Sequence, residues 1–393
     1  MKILFLGYAV SPDLARKLSG ASVAGNKMQV NMLRELARYD DVELNSITVY
    51  PVAVFPRDKS LHIKKEIIDV TNGVKSVRVP FINLPVIKQF SQIFAVKRAA
   101  KKLVDKDTVV LTFNLFPQVG IPMGWLKKKY GCKTYCLLAD LPIDDFVGRK
   151  GFSVLLRKLF DKQTLKSMQE CDKYIVLNEN VVEKYFPGKE YIVVDGGVSE
   201  EDIERTNISI EKSGEKNIVF CGALTHYNGI INLLDAFDLL EEKNIYLDIY
   251  GGGQLEPEVR NRAEKNKNIR YFGSVPNEVA LKKQKEAWLL GNPRTVDDPI
   301  SQVTFPSKTF EYLLSGTPIL STRINGYTAE YEKVMFLIKD NEPKVIAEEI
   351  EKISSMETDD LNKIANDARQ FVISEKNWTK QTEKIHDFII QAF

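Results

Sequence analysis

The chain has 393 residues, of which 44% are hydrophobic and 27% charged, with a formal net charge of +2. At roughly 150 residues per domain this length points to two large domains or three small ones, and the composition excludes a disordered chain, a collagen-like repeat and a disulfide-stapled miniprotein. The small net charge hides an asymmetry: residues 1–186 hold 30 Lys and Arg against 18 Asp and Glu, and the remainder holds 25 against 35. A basic first half suits an anionic partner, whether a membrane surface, a nucleic acid or a phosphorylated substrate, and the competing reading is a set of solvated faces.

In chain order, KILFLGY is a first buried strand. Ser11, Pro12 and Asp13 follow it without a cleavage site, so the start does not read as an export signal. A small-residue loop through Ser19, Gly20, Ala21, Ser22, Ala24, Gly25 and Asn26 leads to a helical pattern carrying Met28, Met32, Leu33, Leu36 and Ala37. The loop lacks G-x-G-x-x-G, which argues against dinucleotide binding there. VELNSITVY is the next strand. Residues 86–104, VIKQFSQIFAVKRAAKKLV, set Ile87, Phe90, Phe94 or Ile93, Val96 and Val104 against Lys88, Lys97, Arg98, Lys101 and Lys102. This basic amphipathic pattern suits anionic lipid headgroups, or the two phenylalanines simply face the core. DTVVLTFN, KTYCLLAD and KYIVLN are further buried strands, with Lys127, Lys128, Lys129 and the segment RKGFSVLLRKLFDK (149–162) adding basic and apolar matter. Cys132, Cys136, Cys171 and Cys221 form no CxxC pair, and with only three histidines no zinc set assembles, so reduced thiols in a cytoplasmic protein are expected. No apolar run reaches the ~20 residues of a membrane helix.

A second series of strands runs NIVFCG, IYLDIYGGG, NIRYFGSV, AWLLGNP and PILST, with a helix at INLLDAFDLL. Short apolar strands alternating with amphipathic segments predict βα units and mostly parallel sheets covered on both faces. The Gly- and charge-rich stretch 187–214 places the boundary, giving domains 1–186 and 187–373 and a terminal helix, 374–393, that carries Trp378, Ile385, Phe388 and Ile389 and docks on the first domain. Two doubly wound domains of this kind are expected to face a central cleft lined by loops at the carboxyl ends of the strands.

The segment FPSKTFEYLLSGTPIL, residues 305–320, is punctuated as a short helix: Pro306 suits its first turn, and Gly316 and Pro318 suit its end. Its amino terminus is an anion site with Lys308 in the first turn, flanked by Ser307 and Thr309, and Glu311 three residues on. Arg294, just after AWLLGNP, adds a second cation with the fork geometry suited to a diphosphate. The plain alternative is a solvated i,i+3 pair and a loop arginine.

GNPR followed by FPSKTFEYLLSGTPIL resembles the donor region of glycosyltransferase family 4, retaining nucleotide-sugar enzymes of GT-B fold. CGALTHYNGIINLLDAF (221–237), IYGGGQLEPEV (249–259) and NIRYFGSVP (268–276) continue the resemblance in order and spacing. It implies two Rossmann-like domains, the first binding an acceptor and the second a nucleotide-sugar, with UDP the expected nucleotide. It implies that Arg294 and Lys308 stabilise the leaving diphosphate, that Glu311 holds the ribose hydroxyls, and that Ser307, Thr309, Gly222, Asn228, Gly252, Ser274 and Val275 line the donor site. The first glutamate of the family's E-x7-E pair is Val303 here, leaving Asp297, Asp298 or Ser301 to replace it. Ala223 and Asn228 stand where many members have an arginine and a lysine. On the first domain, Ser22 and Gly25 match the small-residue loop that approaches the diphosphate and acceptor, and Asp140, followed by LPIDD, orients or deprotonates the acceptor hydroxyl or else caps the next turn. His226 lies in the 221–237 loop, whereas His62 and His386 have no evident setting.

The activity implied is retaining transfer of a hexose from the donor to a lipid-linked or glycan acceptor in capsule, exopolysaccharide or O-antigen assembly. Neither a metal nor a cofactor is expected, because protein cations carry the charge and no convincing DxD loop is present. The expected setting is the cytoplasm, with residues 86–104 on the inner face of the plasma membrane and no nucleic acid bound. The alternatives are a non-hydrolysing nucleotide-sugar 2-epimerase and a catalytically degenerate nucleotide-sugar-binding subunit, the latter kept open by Val303.

Overall fold

Short, continuous apolar runs bury on both faces when they pair in parallel, and that pattern builds both sheets here. The computed structural model describes residues 1–140, 152–242 and 244–391, with side chains of the helix starting at Phe152 described from Lys158 onward. LPIDD and the opening of RKGFSVLLRKLFDK therefore lie outside the described residues. The chain divides into two compact units, Met1–Gly196 with Trp378–Phe393, and Gly197–Asn377.

The first unit contains β1 (Lys2–Gly7), β2 (Glu43–Thr48), β3 (His62–Ile63), β4 (Glu66–Thr71), β5 (Val74–Arg78), β6 (Phe81–Ile82), β7 (Thr108–Phe113), β8 (Lys133–Leu138), β9 (Lys173–Val176) and β10 (Glu190–Val193). Eight of them form one sheet in the order β10-β9-β8-β7-β1-β2-β5-β4, and β3 and β6 pair separately. Every pairing in the large sheet is parallel except β4 with β5. The sequence division at 186/187 falls before β10; because β10 pairs with β9, the first unit continues to Gly196.

The last helix, Trp378–Ile390, belongs to this first unit. Trp378, Ile385, Phe388 and Ile389 are buried in one cluster with Ile3, Phe5, Leu33, Val109 and Tyr135. At about 2 kcal/mol per large side chain, these four supply about 8 kcal/mol of gross burial free energy. His386, which the sequence left without a setting, holds the same helix by its edge. Its Nε2 lies 3.0 Å from Asp41 and its ring stacks on Tyr39 at 3.9 Å.

The second unit contains β11 (Lys216–Cys221), β12 (Ile245–Tyr250), β13 (Ile269–Gly273), β14 (Leu289–Asn292), β15 (Ile319–Thr322) and β16 (Phe336–Ile338). They form one sheet in the order β13-β12-β11-β14-β15-β16, parallel throughout. Ile218, Phe220, Leu247, Ile249 and Leu289 of the sheet pack with Leu233, Phe237 and Ile350 from covering helices. Among the described residues no helix is long and apolar enough to cross a membrane.

Candidate functional site

In an open parallel sheet, ligands bind outside the carboxyl ends of the strands where the strand order reverses. In the second unit that point lies between β11 and its neighbour β14. Three chain segments meet there: the loop after Cys221, Pro293 and Arg294 after β14, and the helix Lys308–Ser315.

Glycine makes the close approaches possible. A Cβ on Gly251, after β12, would stand 1.9 Å from the Gly222 carbonyl oxygen, and one on Gly229 would stand 1.5 Å from the Pro293 carbonyl oxygen. Backbone bonds then stitch the strand exits together: Gly222 N–H donates to Tyr250, Leu224 N–H to Gly252 and Gly251 N–H to Gly273.

Lys308 and Arg294 define the chemistry. The Lys308 ammonium has no accessible surface and no hydrogen-bond partner; it sits 4.3 Å from the centre of the Phe220 ring and 5.7 Å from that of Tyr312. A Cβ on Gly222 would be 3.5 Å from it. Burial, followed by the positive charge of Arg294, pushes its pKa down to about 7. Arg294 is 5% exposed, its Nε and Nη1 are unpartnered, and its guanidinium lies 5.2 Å from the Tyr227 ring centre. Burial lowers its pKa, against the opposing influence of Tyr327, Tyr227 and Asp298. Two enclosed cations with no counter-ion among the described residues are costly unless an anion joins them.

The helix Lys308–Ser315 adds its own donors. Ser307, at its N-cap, is exposed, has helical backbone angles and makes no side-chain capping bond; Thr309 N–H and Phe310 N–H donate to the Pro306 and Ser307 carbonyls, which leaves the positive end of the short helix dipole facing the site. Glu311 is half-buried one turn further on. Burial holds the Cys221 thiol up at about 12, and it senses both Lys308 and Glu311, which places all three in one neighbourhood.

Other residues named from sequence are placed as follows. Thr309 is buried, its hydroxyl 2.8 Å from that of Tyr327, so it braces the helix from below. Asn228 Nδ2 donates to the Ala223 carbonyl at 2.8 Å and closes its loop. Gly252 and Ser274 adjoin, since a Cβ on Gly252 would lie 2.8 Å from Ser274 Oγ; Ser274 is exposed and Val275 half-buried. Asp298 caps the short helix Pro299–Val303 by accepting from Ile300 N–H, and Ser301 inside it is fully buried with an unpartnered hydroxyl. His226 is exposed.

Sequence reasoning missed the bracing network. Asn292 Nδ2 donates to Ser321 Oγ and to the Tyr327 hydroxyl, and Thr322 Oγ1 donates to the Arg294 carbonyl. Tyr312 holds the end of β11, accepting from Cys221 N–H and donating to its carbonyl. The only sequence signal was polar residues standing at positions of otherwise buried strands.

Ser22, Gly25 and Asp140 lie in the first unit and line one pocket of about 230 Å³ with Tyr8, Asn114 and Gln118. It opens at the ends of β1, β7 and β8, again where the strand order reverses. Ser22 Oγ caps the helix Val23–Leu36 by accepting from Gly25 N–H. Asp140 is exposed, and Asn114 Nδ2 donates to it at 3.3 Å. The Tyr8 hydroxyl and Gln118 Oε1 are buried without partners. Among the described residues no group of three His, Cys, Asp or Glu is placed to hold a metal.

Residues 202–389 match the family model described as "Glycosyl transferases group 1". The chain is 25% identical over 285 residues, 68% of its length, to "Probable glycosyltransferase WbjE" of Pseudomonas aeruginosa, and 27% identical over 133 residues, 31% of its length, to "O-antigen chain mannosyltransferase C" of Escherichia coli. It spans 64% and 35% of the lengths of these two relatives. A solved structure of Anabaena Alr3699/HepE in complex with UDP matches over the whole of both chains at 13% identity, with a TM-score of 0.61. The chain thus has an α/β two-domain GT-B-like fold, and its second half is similar to the glycosyl transferases group 1 family over residues 202–389.

Proposed function

We propose that this protein is a retaining glycosyltransferase of the family 4 branch marked by NPR and PSK followed by a glutamate, transferring a hexose from a UDP-sugar to a lipid-linked or glycan acceptor in polysaccharide assembly. One observation carries the reading: Lys308 and Arg294 are enclosed with no ion-pair partner among the described residues, beside a helix terminus that has no side-chain cap, at the strand-order reversal of the second unit. A diphosphate supplies the missing negative charge.

In this reading Arg294 and Lys308 are fixed before substrate arrives and stabilise charge developing on the leaving diphosphate. Glu311 accepts from the ribose hydroxyls, and the turns at Gly252 and Ser274–Val275 receive the base. Asp140, with Asn114 donating to it, takes the acceptor hydroxyl, and Ser22 and Gly25 form the floor on which the acceptor rests. No metal is required, since the two protein cations carry the charge. The O-antigen assignment of one relative and the UDP bound in a protein of like fold support the substrate classes.

The test is calorimetric binding of UDP to the wild-type chain and to Glu311→Ala. Loss of a charge-assisted bond to the ribose should weaken binding about tenfold or more, and unchanged affinity would remove the reading's support. Val303, in place of the signature glutamate, favours a second reading, a subunit that binds nucleotide-sugar without turnover. Sugar transfer from a donor panel with release of UDP decides against it.

A further inference from the structure

The helix Ile87–Ala100 presents a stripe that the sequence left undecided between core and surface. Gln92, Ile93, Val96 and Ala100 are buried, whereas Phe90 is 55% and Phe94 69% exposed. With Ile87, 46% exposed, these residues stand at i, i+3 and i+7, and Arg98 and Lys101 continue the row at i+11 and i+14. The stripe is therefore about 21 Å long, apolar at one end and cationic at the other. Exposed aromatics in such a row on a soluble face mark a contact surface.

Its charge is one-sided. From Val86 to Val104 there are five Lys and Arg and no Asp or Glu; of the three lysines on the helix Pro117–Tyr130 packed beside it, Lys127 and Lys128 pair with Asp172 and Glu170. Phe90 also meets Phe160 at 5.5 Å between ring centres, which joins the helix Phe152–Glu170 to the same patch. That helix contributes Leu159, 57% exposed, and a cationic row of exposed Lys158, Lys162 and Lys166. Arg98, Lys101, Lys102 and these three lysines form no ion pair among the described residues. By contrast Lys88 bonds the Val52 carbonyl, and Lys97 and Lys129 lie over the Trp125 ring.

We propose that this face of the first unit, Ile87, Phe90 and Phe94 with the cations of Arg98, Lys101 and Lys102, docks on an anionic lipid bilayer. The two phenylalanines enter the boundary between headgroups and acyl chains, and the arginine and lysines meet the lipid phosphates. A second copy of the chain fits less well, because a two-fold contact would set the same unpaired cations against one another. The inference rests on the first unit alone and stands apart from the nucleotide reading.

Co-sedimentation with phosphatidylglycerol vesicles and with phosphatidylcholine vesicles, in the absence of nucleotide, tests it. The full-length protein should sediment with the first, not the second, and be released by salt as the cations are screened. Phe90→Ser with Phe94→Ser should lower the bound fraction about tenfold, and Arg98→Gln, Lys101→Gln and Lys102→Gln together about a hundredfold. All five positions are exposed, so thermal melting should match the wild type; the glutamine variant still decides if loss of the Phe90–Phe160 contact lowers the melting point of the serine variant. Absence of binding to phosphatidylglycerol, equal binding to both lipids, or binding that both variants retain would each overturn the proposal. So would a wild-type dimer that Phe94→Ser dissociates while the protein binds no vesicle. UDP affinity measured on the same samples reports separately on the donor site.

Discussion

Raising the pH above 7 should weaken nucleotide binding through a single group. In the ligand-free protein Lys308 has a pKa of about 7 against 10.5 for an unperturbed lysine, a difference worth about 5 kcal/mol. The folded value lies below the unfolded one, so between about pH 7 and 10.5 the unfolded chain binds more protons and the ligand-free second unit gains stability as pH rises. Below pH 7 the enclosed ammonium exerts its full cost. A diphosphate beside Lys308 reverses the balance, favouring the ammonium and drawing a proton from solvent. Arg294 stays charged throughout, and burial holds the Cys221 thiol and the Tyr312 phenol protonated across this window. The terminal phosphate of UDP has its last pKa near about 6 and is already ionised. The ammonium fraction in the free protein is about one tenth at pH 8 and about one hundredth at pH 9. Affinity for UDP should therefore fall about tenfold per pH unit, with about 0.9 proton taken up at pH 8. Titration calorimetry in two buffers of different ionisation enthalpy reads both quantities. Lys308→Met should bind UDP weakly, without proton uptake, and melt higher than the wild type at pH 6. An affinity flat from pH 7 to 9, or one binding enthalpy in both buffers, would refute the reasoning.

Two further substitutions test the scaffold. Gly251→Ala puts a Cβ 1.9 Å from the Gly222 carbonyl oxygen at a φ of +145°, so the turns after β11 and β12 must part. The expected cost is about 2–4 kcal/mol, read as a lower melting point of the second unit with weakened UDP binding. Ile385→Ala removes a fully buried side chain from the helix Trp378–Ile390 and should destabilise the first unit by about 2–5 kcal/mol in urea unfolding. A loss under 1 kcal/mol would mean that the helix does not anchor in that core.

How far the sequence reached depended on whether a feature is local. Every strand proposed from a continuous apolar run is present, because such a run has no other way to bury both faces. The strands missed, β3 to β6, β10 and β16, are short or mixed in polarity: β4 has one buried residue, β5 has two, separated by an exposed lysine, and β10 has none. The helix Lys308–Ser315 was legible from its flanking proline and glycine. What its side chains touch was not. Lys308 meets Phe220, 88 positions away, and Tyr312 reaches Cys221, 91 positions away, through pairings of parallel strands that no spacing rule encodes. Thr309 illustrates the limit: adjacent to Lys308 in sequence, it points a hundred degrees around the helix and finds Tyr327 instead.

The bracing around Arg294 and Lys308 follows from their lack of partners. A flexible cation left unpaired would turn toward water, so keeping two of them enclosed requires walls that do not yield. Phe220, Tyr312 and Tyr227 supply apolar and aromatic faces that hold a cation without neutralising it. Asn292, Ser321, Tyr327 and Thr309 form a hydrogen-bonded block under the helix, and Thr322 fixes the Arg294 carbonyl. A carboxylate bonded directly to either cation would stabilise the ligand-free protein at the expense of an anion. Among the described residues no ion pair reaches Lys308 or Arg294, and in the proposed reading a diphosphate supplies that charge to cations already held in place.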